Sequence, residues 1–252
     1  MEGSCPGDRA QPKLNASKNP KGIQYSAILD LKIGGHSGMI KVTDDQKLKV
    51  EGSDWAVLVL AASSSFDGPF TNPSDSKKDP TLMSLNTLNM VKTLSFSELF
   101  TRHFVDYQNL FNRVSLQLEG RSQGSVRTLK PSETDFQKQL SKDVVSTAER
   151  VKSFKLDEDP SLIELLFNYG RYLLISCSRP GTQVANLQGI WNKDTEPAWD
   201  AAPHLNINLP MNYWPSLSCH LSECQEPLFD YIASLAVNGA KTARVSFTFL
   251  PQ

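Results

Sequence analysis

The fold class the sequence predicts is α+β and multidomain, with antiparallel β-structure first and helices after it. Three observations carry this. From Gln24 to Ile33 apolar residues alternate (Tyr25, Ala27, Leu29, Leu31, Ile33) with mostly polar ones, the period-2 pattern of a half-buried strand. From Phe96 to Phe111 large apolar residues recur at helical spacing behind Ser95 and Glu98, the signature of a capping box. From Ser161 to Cys177 the chain is apolar over most of a helical circumference (Leu162, Leu165, Leu166, Phe167, Leu173, Leu174), which predicts a helix buried between layers.

The elements follow in order. Gly34-Gly35 turns the first strand; Met39–Val42 and Leu48–Val50 are shorter strands either side of Asp44-Asp45. Trp55–Leu60 is apolar enough to predict a strand covered on both faces. These strands form an antiparallel meander, too few for a complete sandwich and so expected to be part of one. Phe66–Pro80, rich in Pro, Gly, Asp and Ser, is a loop. After the Phe96–Phe111 helix, Val114–Leu118 is expected to be a strand, and Gly120 to about Arg150 a flexible polar excursion. His103 is a structural histidine on its helix. Asp159-Pro160 supplies an N-cap and a first-turn proline, and Arg179-Pro-Gly181 ends that helix. A last helix opens at Ser222 or Pro227, turns Leu228, Tyr231, Ile232 and Leu235 inward, and closes at Asn238-Gly239.

Composition excludes several functions. A formal net charge of -1 provides no basic field for nucleic acid. The longest apolar run, Ala56–Ala62, falls far short of the roughly 20 residues of a membrane span. The N-terminal residues carry no apolar signal core, and Asn15-Ala-Ser17 is a single glycosylation sequon. The four cysteines are scattered; Cys219 and Cys224 flank His220 without a second ligand pair, so no metal is expected.

The chemistry concentrates between Thr182 and Trp214, where three of the four tryptophans (Trp191, Trp199, Trp214) sit among amides and a histidine. His204, Asn206 and Asn208 alternate with Leu205, Ile207 and Leu209, and Pro210 biases Leu209 away from helix. In an extended segment the three polar groups share one face. Residue types leave two readings open. One is a polar shelf for a hydroxyl-rich ligand, with tryptophan rings over apolar sugar faces. The other is amides that tie down a loop and tryptophans that fill a core.

The literal string Asn186-Leu-Gln-Gly-Ile-Trp191, followed by His204-Leu-Asn-Ile-Asn-Leu-Pro-Met-Asn-Tyr-Trp214, resembles glycoside hydrolase family 95, its plant members above all. Ser53–Val57, His103–Leu118 and Leu165–Pro180 extend the resemblance over most of the chain. The family's enzymes are inverting α-L-fucosidases, mostly on 1,2-linked fucose, so the resemblance implies that activity on cell-wall or glycan oligosaccharides, without metal or organic cofactor. It implies a partial β-domain (residues 1–83), a linker helix, strand and polar excursion (84–158), and the first helices of an (α/α)6 barrel (159–252). His103, Asp106 and Tyr107 match the family's linker.

Residue by residue, Asn206 and Asn208 match the two asparagines that hold and polarise the attacking water, and His204 matches a fucose-contacting histidine. Trp191 and Trp199 are the expected sugar-facing walls. The glutamate acid and an assisting aspartate belong to later segments of the family; Asp194, Glu196, Asp200, Glu223 and Glu226 match neither. Pro210 replaces a more usual glutamine and His220 a more usual asparagine. After Val245 the likeness ends, so the expectation is a truncated or alternatively terminated form lacking the general acid. An apoplastic site is expected for the parent enzyme. The reading from another class is a non-catalytic carbohydrate-binding or interaction protein derived from it.

Overall fold

The computed structural model describes residues 1–5, 22–44, 47–118, 145–155 and 159–247, which divide between two units, Met1–Phe104 and Val105–Gln252. In the first, strands β1 (Glu2–Ser4), β2 (Gln24–Gly34) and β5 (Trp55–Ser64) form an antiparallel sheet in the order β1-β2-β5. Among the described residues, strands β3 (Met39–Asp44) and β4 (Lys47–Glu51) pair only with each other. The strands are therefore not one meander: a separate hairpin is inserted between two long partners.

Helix α1 (Pro80–Val91) packs on β2 and β5, an element that the loop-like composition before it conceals in the sequence. Its signal is the one that marked the later helix: Asp79 accepts from the amides of Thr81 and Leu82, and Pro80 occupies the first turn. Ser84 and Leu88 are buried one turn apart, and the Ser84 hydroxyl donates to the Ser26 carbonyl at 3.3 Å. The helix lies on the face of the sheet that carries Ser26, Ile28, Val57, Val59 and Ala61, and the short side chains of Ser26 and Ala61 allow close approach at its buried centre.

The opposite face carries the apolar alternation. Leu29 pairs with Leu60 and Leu31 with Leu58, yet Leu58 is 63% and Leu60 66% exposed. The expectation that Trp55–Leu60 is covered on both faces is overturned. Alternation located an apolar face without saying which face this chain covers.

Helix α2 (Phe96–Phe111) opens with the expected capping box: the Ser95 amide donates to Glu98 at 2.8 Å, and the Glu98 amide to the Ser95 hydroxyl at 3.2 Å. Phe96, Phe100 and Phe104 stack along it, one turn apart. His103 is exposed on the same helix. Val114–Leu118 is irregular rather than a strand, because the Val114 carbonyl is taken by an arginine, not a neighbouring strand. Of the polar excursion, residues 120–144 lie outside the described residues, and the rest contains helix α3 (Thr147–Ser153), capped reciprocally by Ser146 and Glu149.

Helix α4 (Pro160–Cys177) begins where Asp159-Pro160 placed it. Arg150 holds the Asp159 carboxylate in a two-point ion pair, keeping its pKa well below the usual range. The helix is not buried all round: Arg171, Leu174, Ile175 and Cys177 are buried, while Leu166 and Tyr169 stand in solvent. Helices α5 (Asn208–Tyr213), α6 (Pro215–Ser218) and α7 (Glu226–Phe247) complete the second unit. α7 runs through Asn238-Gly239 instead of closing there, and Ile232 is exposed while Leu228 and Tyr231 meet the core. His220 lies at φ +55°. Asparagine, aspartate and histidine enter that left-handed region more readily than other residues with a Cβ.

The core of this unit gathers Leu110, Leu174, Ile175, Leu209, Tyr213, Leu221 and the three buried cysteines. Arg171, 2% exposed, is fixed beside it. Its guanidinium donates to the carbonyls of Val114 (2.8 Å), Phe111 and Leu110, and its carbon lies 4.7 Å from the Phe111 ring centroid. A cation against the last carbonyls of α2 complements the negative end of that helix. Replacing Arg171 with Met removes those donors but keeps most of the volume. The expected loss is about 2–4 kcal/mol from carbonyls left unpaired in a buried setting. Urea unfolding checks this; a midpoint equal to wild type contradicts it.

Candidate active site

The Asn186–Trp191 segment and the His204–Trp214 segment are joined by hydrogen bonds. Asn212, one helical turn after Asn208 on α5, donates its side-chain amide to the Ala185 and Asn186 carbonyls, both at 3.2 Å. The neighbouring Tyr213 hydroxyl accepts from the Ala185 amide at 2.9 Å and pairs with the Ser178 hydroxyl at 2.7 Å. Ser178, which caps α4, also donates to the Cys224 carbonyl at 2.8 Å. Tyr213 is buried, and burial raises its pKa, so the hydroxyl stays a neutral hydrogen-bonding group. Cys224, buried beside it, has its thiol pushed up to about 11 by the same desolvation. Such a thiol is an inert packing group.

Beyond this clasp the Asn186 carboxamide accepts from the Gln188 amide at 2.9 Å, an Asx turn. Gly189 follows at φ +61°, and a Cβ there would meet the Trp191 ring at 3.0 Å. Only glycine fits both the backbone and the ring folded over it, which explains Gln-Gly-Ile-Trp physically. Gln188 donates to the Ala198 carbonyl at 3.3 Å. The turn fastened there, Trp199-Asp200-Ala201, has three consecutive positive φ values (52°, 56°, 51°) in non-glycine residues, a costly conformation.

The structure places the candidate residues as follows. Trp191, 46% exposed, lines a cavity of about 420 Å³ with Asn186, Gln188, Asn212, Gly170 and aliphatic residues of α4. Trp199 stands 73% exposed on its strained turn, outside that lining. His204 and Asn208 are half-buried and Asn206 is exposed; none of the three lines the cavity. The expected extended shelf is not what forms. Residues 205–207 turn, the Leu209 amide reaches back to the His204 carbonyl at 2.9 Å, and α5 starts at Asn208. Leu205 and Ile207 are exposed, so the alternation does not separate an inner from an outer face. Pro210 explains the difference: it suits the first turn of a helix, and that helix begins earlier than alternation suggested. Among the described residues, no side-chain hydrogen bond is made by His204, Asn206 or Asn208.

Residues 95–249 match the glycosyl hydrolase family 95 catalytic domain. The chain belongs to glycoside hydrolase family 95. It is 54% identical over 255 residues to alpha-L-fucosidase 2 of Arabidopsis thaliana, covering 98% of this chain and 28% of that protein. It is 33% identical over 232 residues to probable alpha-fucosidase A of Aspergillus niger, covering 90% and 27%. The chain thus spans under a third of the length of these family 95 relatives.

Sequence reading passed over Asn212, Tyr213, Ser178 and Gln188, although all but Ser178 sit inside the two quoted strings. The available signal was the four-residue step from Asn208 to Asn212. It also left Glu223 with no partner. Arg113 binds Glu223 through both nitrogens (2.9 and 2.7 Å) and the His220 carbonyl at 3.0 Å. Arg179 holds Asp106 in the same way. Among the described residues no three His, Cys, Asp or Glu side chains converge to share a metal ion.

The Arg113 pair lowers the Glu223 pKa from its ordinary 4.5 to about 2. A pKa depressed in the folded state means stability that is complete above 4.5 and is lost as pH falls toward 2. Glu223→Gln should remove this part of the acid slope and leave stability near neutral pH lower. Chemical denaturation between pH 5 and 2 reads it; identical slopes for the two proteins would contradict it.

Proposed function

We propose that this chain carries the water-positioning part of an inverting α-L-fucosidase that removes terminal α-1,2-linked L-fucose from cell-wall or glycan oligosaccharides, in an extracellular setting. The observation that carries the reading is the state of Asn206 and Asn208. Both match the family's water-holding asparagines, and both amides are left unspent by the fold, while the side-chain nitrogen of the neighbouring Asn212 donates to two backbone carbonyls. An amide oxygen is too weakly basic to take a proton outright, so the pair orients and polarises water while a carboxylate assists. His204, at the head of the same turn, contacts the sugar, and Trp191 and Trp199 wall it.

Inversion also needs a carboxylic acid to protonate the leaving oxygen. Here Glu223, Asp106 and Asp159 are ion-paired to arginines, which holds a carboxylate ionised and unsuited to donate a proton. The acid and the assisting aspartate come from parts of the family's sequence outside these 252 residues. The helical unit is read as the opening of an (α/α)6 barrel and the β-unit as part of a sandwich. Both are supported by apolar faces, such as Leu165–Leu166 and Leu58–Leu60, that further layers would cover.

General acid assistance contributes about 10²–10⁴-fold, so the 252-residue polypeptide alone should release no fucose from 2'-fucosyllactose above background. Saturation-transfer NMR should show it binding L-fucose, with loss of binding in the Asn206→Ala, Asn208→Ala double variant. Robust release abolished by that variant would place the acid within these residues. Fucose binding indifferent to the double variant would sink the site.

A further inference from the structure

Beside the cavity runs a line of exposed aromatic rings, of which the fucose site uses only Trp191, at one end. Tyr169 and Tyr172, three residues apart on α4, lie with ring centroids 6.0 Å apart and planes within 20°. Tyr172 and Trp191 continue the line at 6.2 Å and 30°. Centroids at these distances are those of ordinary aromatic pairs, which do not cover one another fully. Exposures of 53%, 40% and 46% leave part of each residue open to solvent. Tyr172 is also held in orientation: Tyr107 meets it edge-on at 6.2 Å and is itself stacked on Phe111 at 5.0 Å. The Phe111 ring is pinned by the buried Arg171 guanidinium. A ring fixed this way loses little freedom when a ligand covers it.

We infer that Tyr169, Tyr172 and Trp191 form a platform for the unfucosylated portion of a glycan, a run of pyranose rings leading to the cavity. Two features select sugar over a general apolar partner. The rings are tyrosine and tryptophan, which offer an apolar face and a polar tip together. The line is continuous through Trp191 with a cavity that combines an aliphatic floor with the amides of Asn186, Gln188 and Asn212. A pyranose presents the matching surfaces, a C–H face and a hydroxyl rim. The centroid spacing is of the order of one sugar unit's advance. The proposal rests on the glycosidase reading for its class of ligand, but not on the roles of Asn206 or Asn208.

The test titrates the 252-residue chain with cellotetraose and separately with lacto-N-tetraose, neither containing fucose, following tryptophan emission and saturation-transfer NMR. At least one should bind saturably. Tyr172→Ala should weaken that binding on the order of tenfold, the equivalent of about 1.4 kcal/mol. Tyr172→Phe, which keeps the ring, should stay within a few-fold. Tyr169→Ala, at the open end, serves as a second probe should Tyr172→Ala alter the circular dichroism spectrum. The Asn206→Ala, Asn208→Ala variant should bind the tetrasaccharide unchanged. Failure of fucose binding with tetrasaccharide binding intact would count against the fucose site alone. Absence of saturable binding to both tetrasaccharides overturns the platform. So does wild-type affinity in folded Tyr172→Ala and Tyr169→Ala, or a dimer in sedimentation that Tyr172→Ala dissociates, which would assign the rings to a second copy.

Discussion

The candidate site depends on how Asn212 and Tyr213 hold the backbone at Ala185 and Asn186. Without it the Asn186–Trp191 segment keeps the Gln188 bond to Ala198 and the ring contact of Trp191; with it, the loop is bound to the helix that Asn208 begins. Tyr213 then reaches Ser178 at the end of α4 and, through it, the carbonyl of Cys224. The Ala185 amide and the cap of α4 meet at one phenol hydroxyl, and the Cys224 carbonyl joins them through Ser178. Each such bond adds only about 1 kcal/mol net, but a buried group left unpaired costs more. The network therefore fixes one arrangement more strongly than its summed strength suggests.

Around this centre, arginines do the coarser positioning. Arg171 binds the closing carbonyls of α2 from inside α4, and Arg113 and Arg179 grip Glu223 and Asp106 by two-point contacts. Planar guanidinium groups suit such fixed geometry in a way lysine does not. The arrangement has a chemical consequence. Three carboxylates are consumed in structure, while the amides of Asn206 and Asn208 are left available.

How much of this the sequence made legible follows from the physics of each signal. Caps are local, so Ser95–Glu98 and Asp159-Pro160 marked their helices correctly. Asp79-Pro80 carries the same mark, but the loop-like composition before it concealed α1. Periodicity found the apolar face of β2 and β5 but not which face a helix covers, because small residues such as Ser26 and Ser84 can pack as closely as aliphatics. The polar trio stands out by type, yet its conformation is not legible, because alternation over five residues is weak against a proline that suits a helix start. Pairings such as Arg113 with Glu223 span 110 residues and leave no trace in a local pattern.

The claim that the two motif segments form one unit can be read at a single proton. The Ala185 amide donates to Tyr213 inside the protein and has no other role, so native-state hydrogen exchange at that position reports the clasp directly. In the intact chain it should exchange far more slowly than amides of the exposed Leu205–Ile207 turn. Tyr213→Phe should speed it by on the order of tenfold or more, while the core amide of Ile175 changes much less. An Ala185 amide that exchanges as fast as the exposed turn, or one indifferent to Tyr213→Phe, would contradict the account.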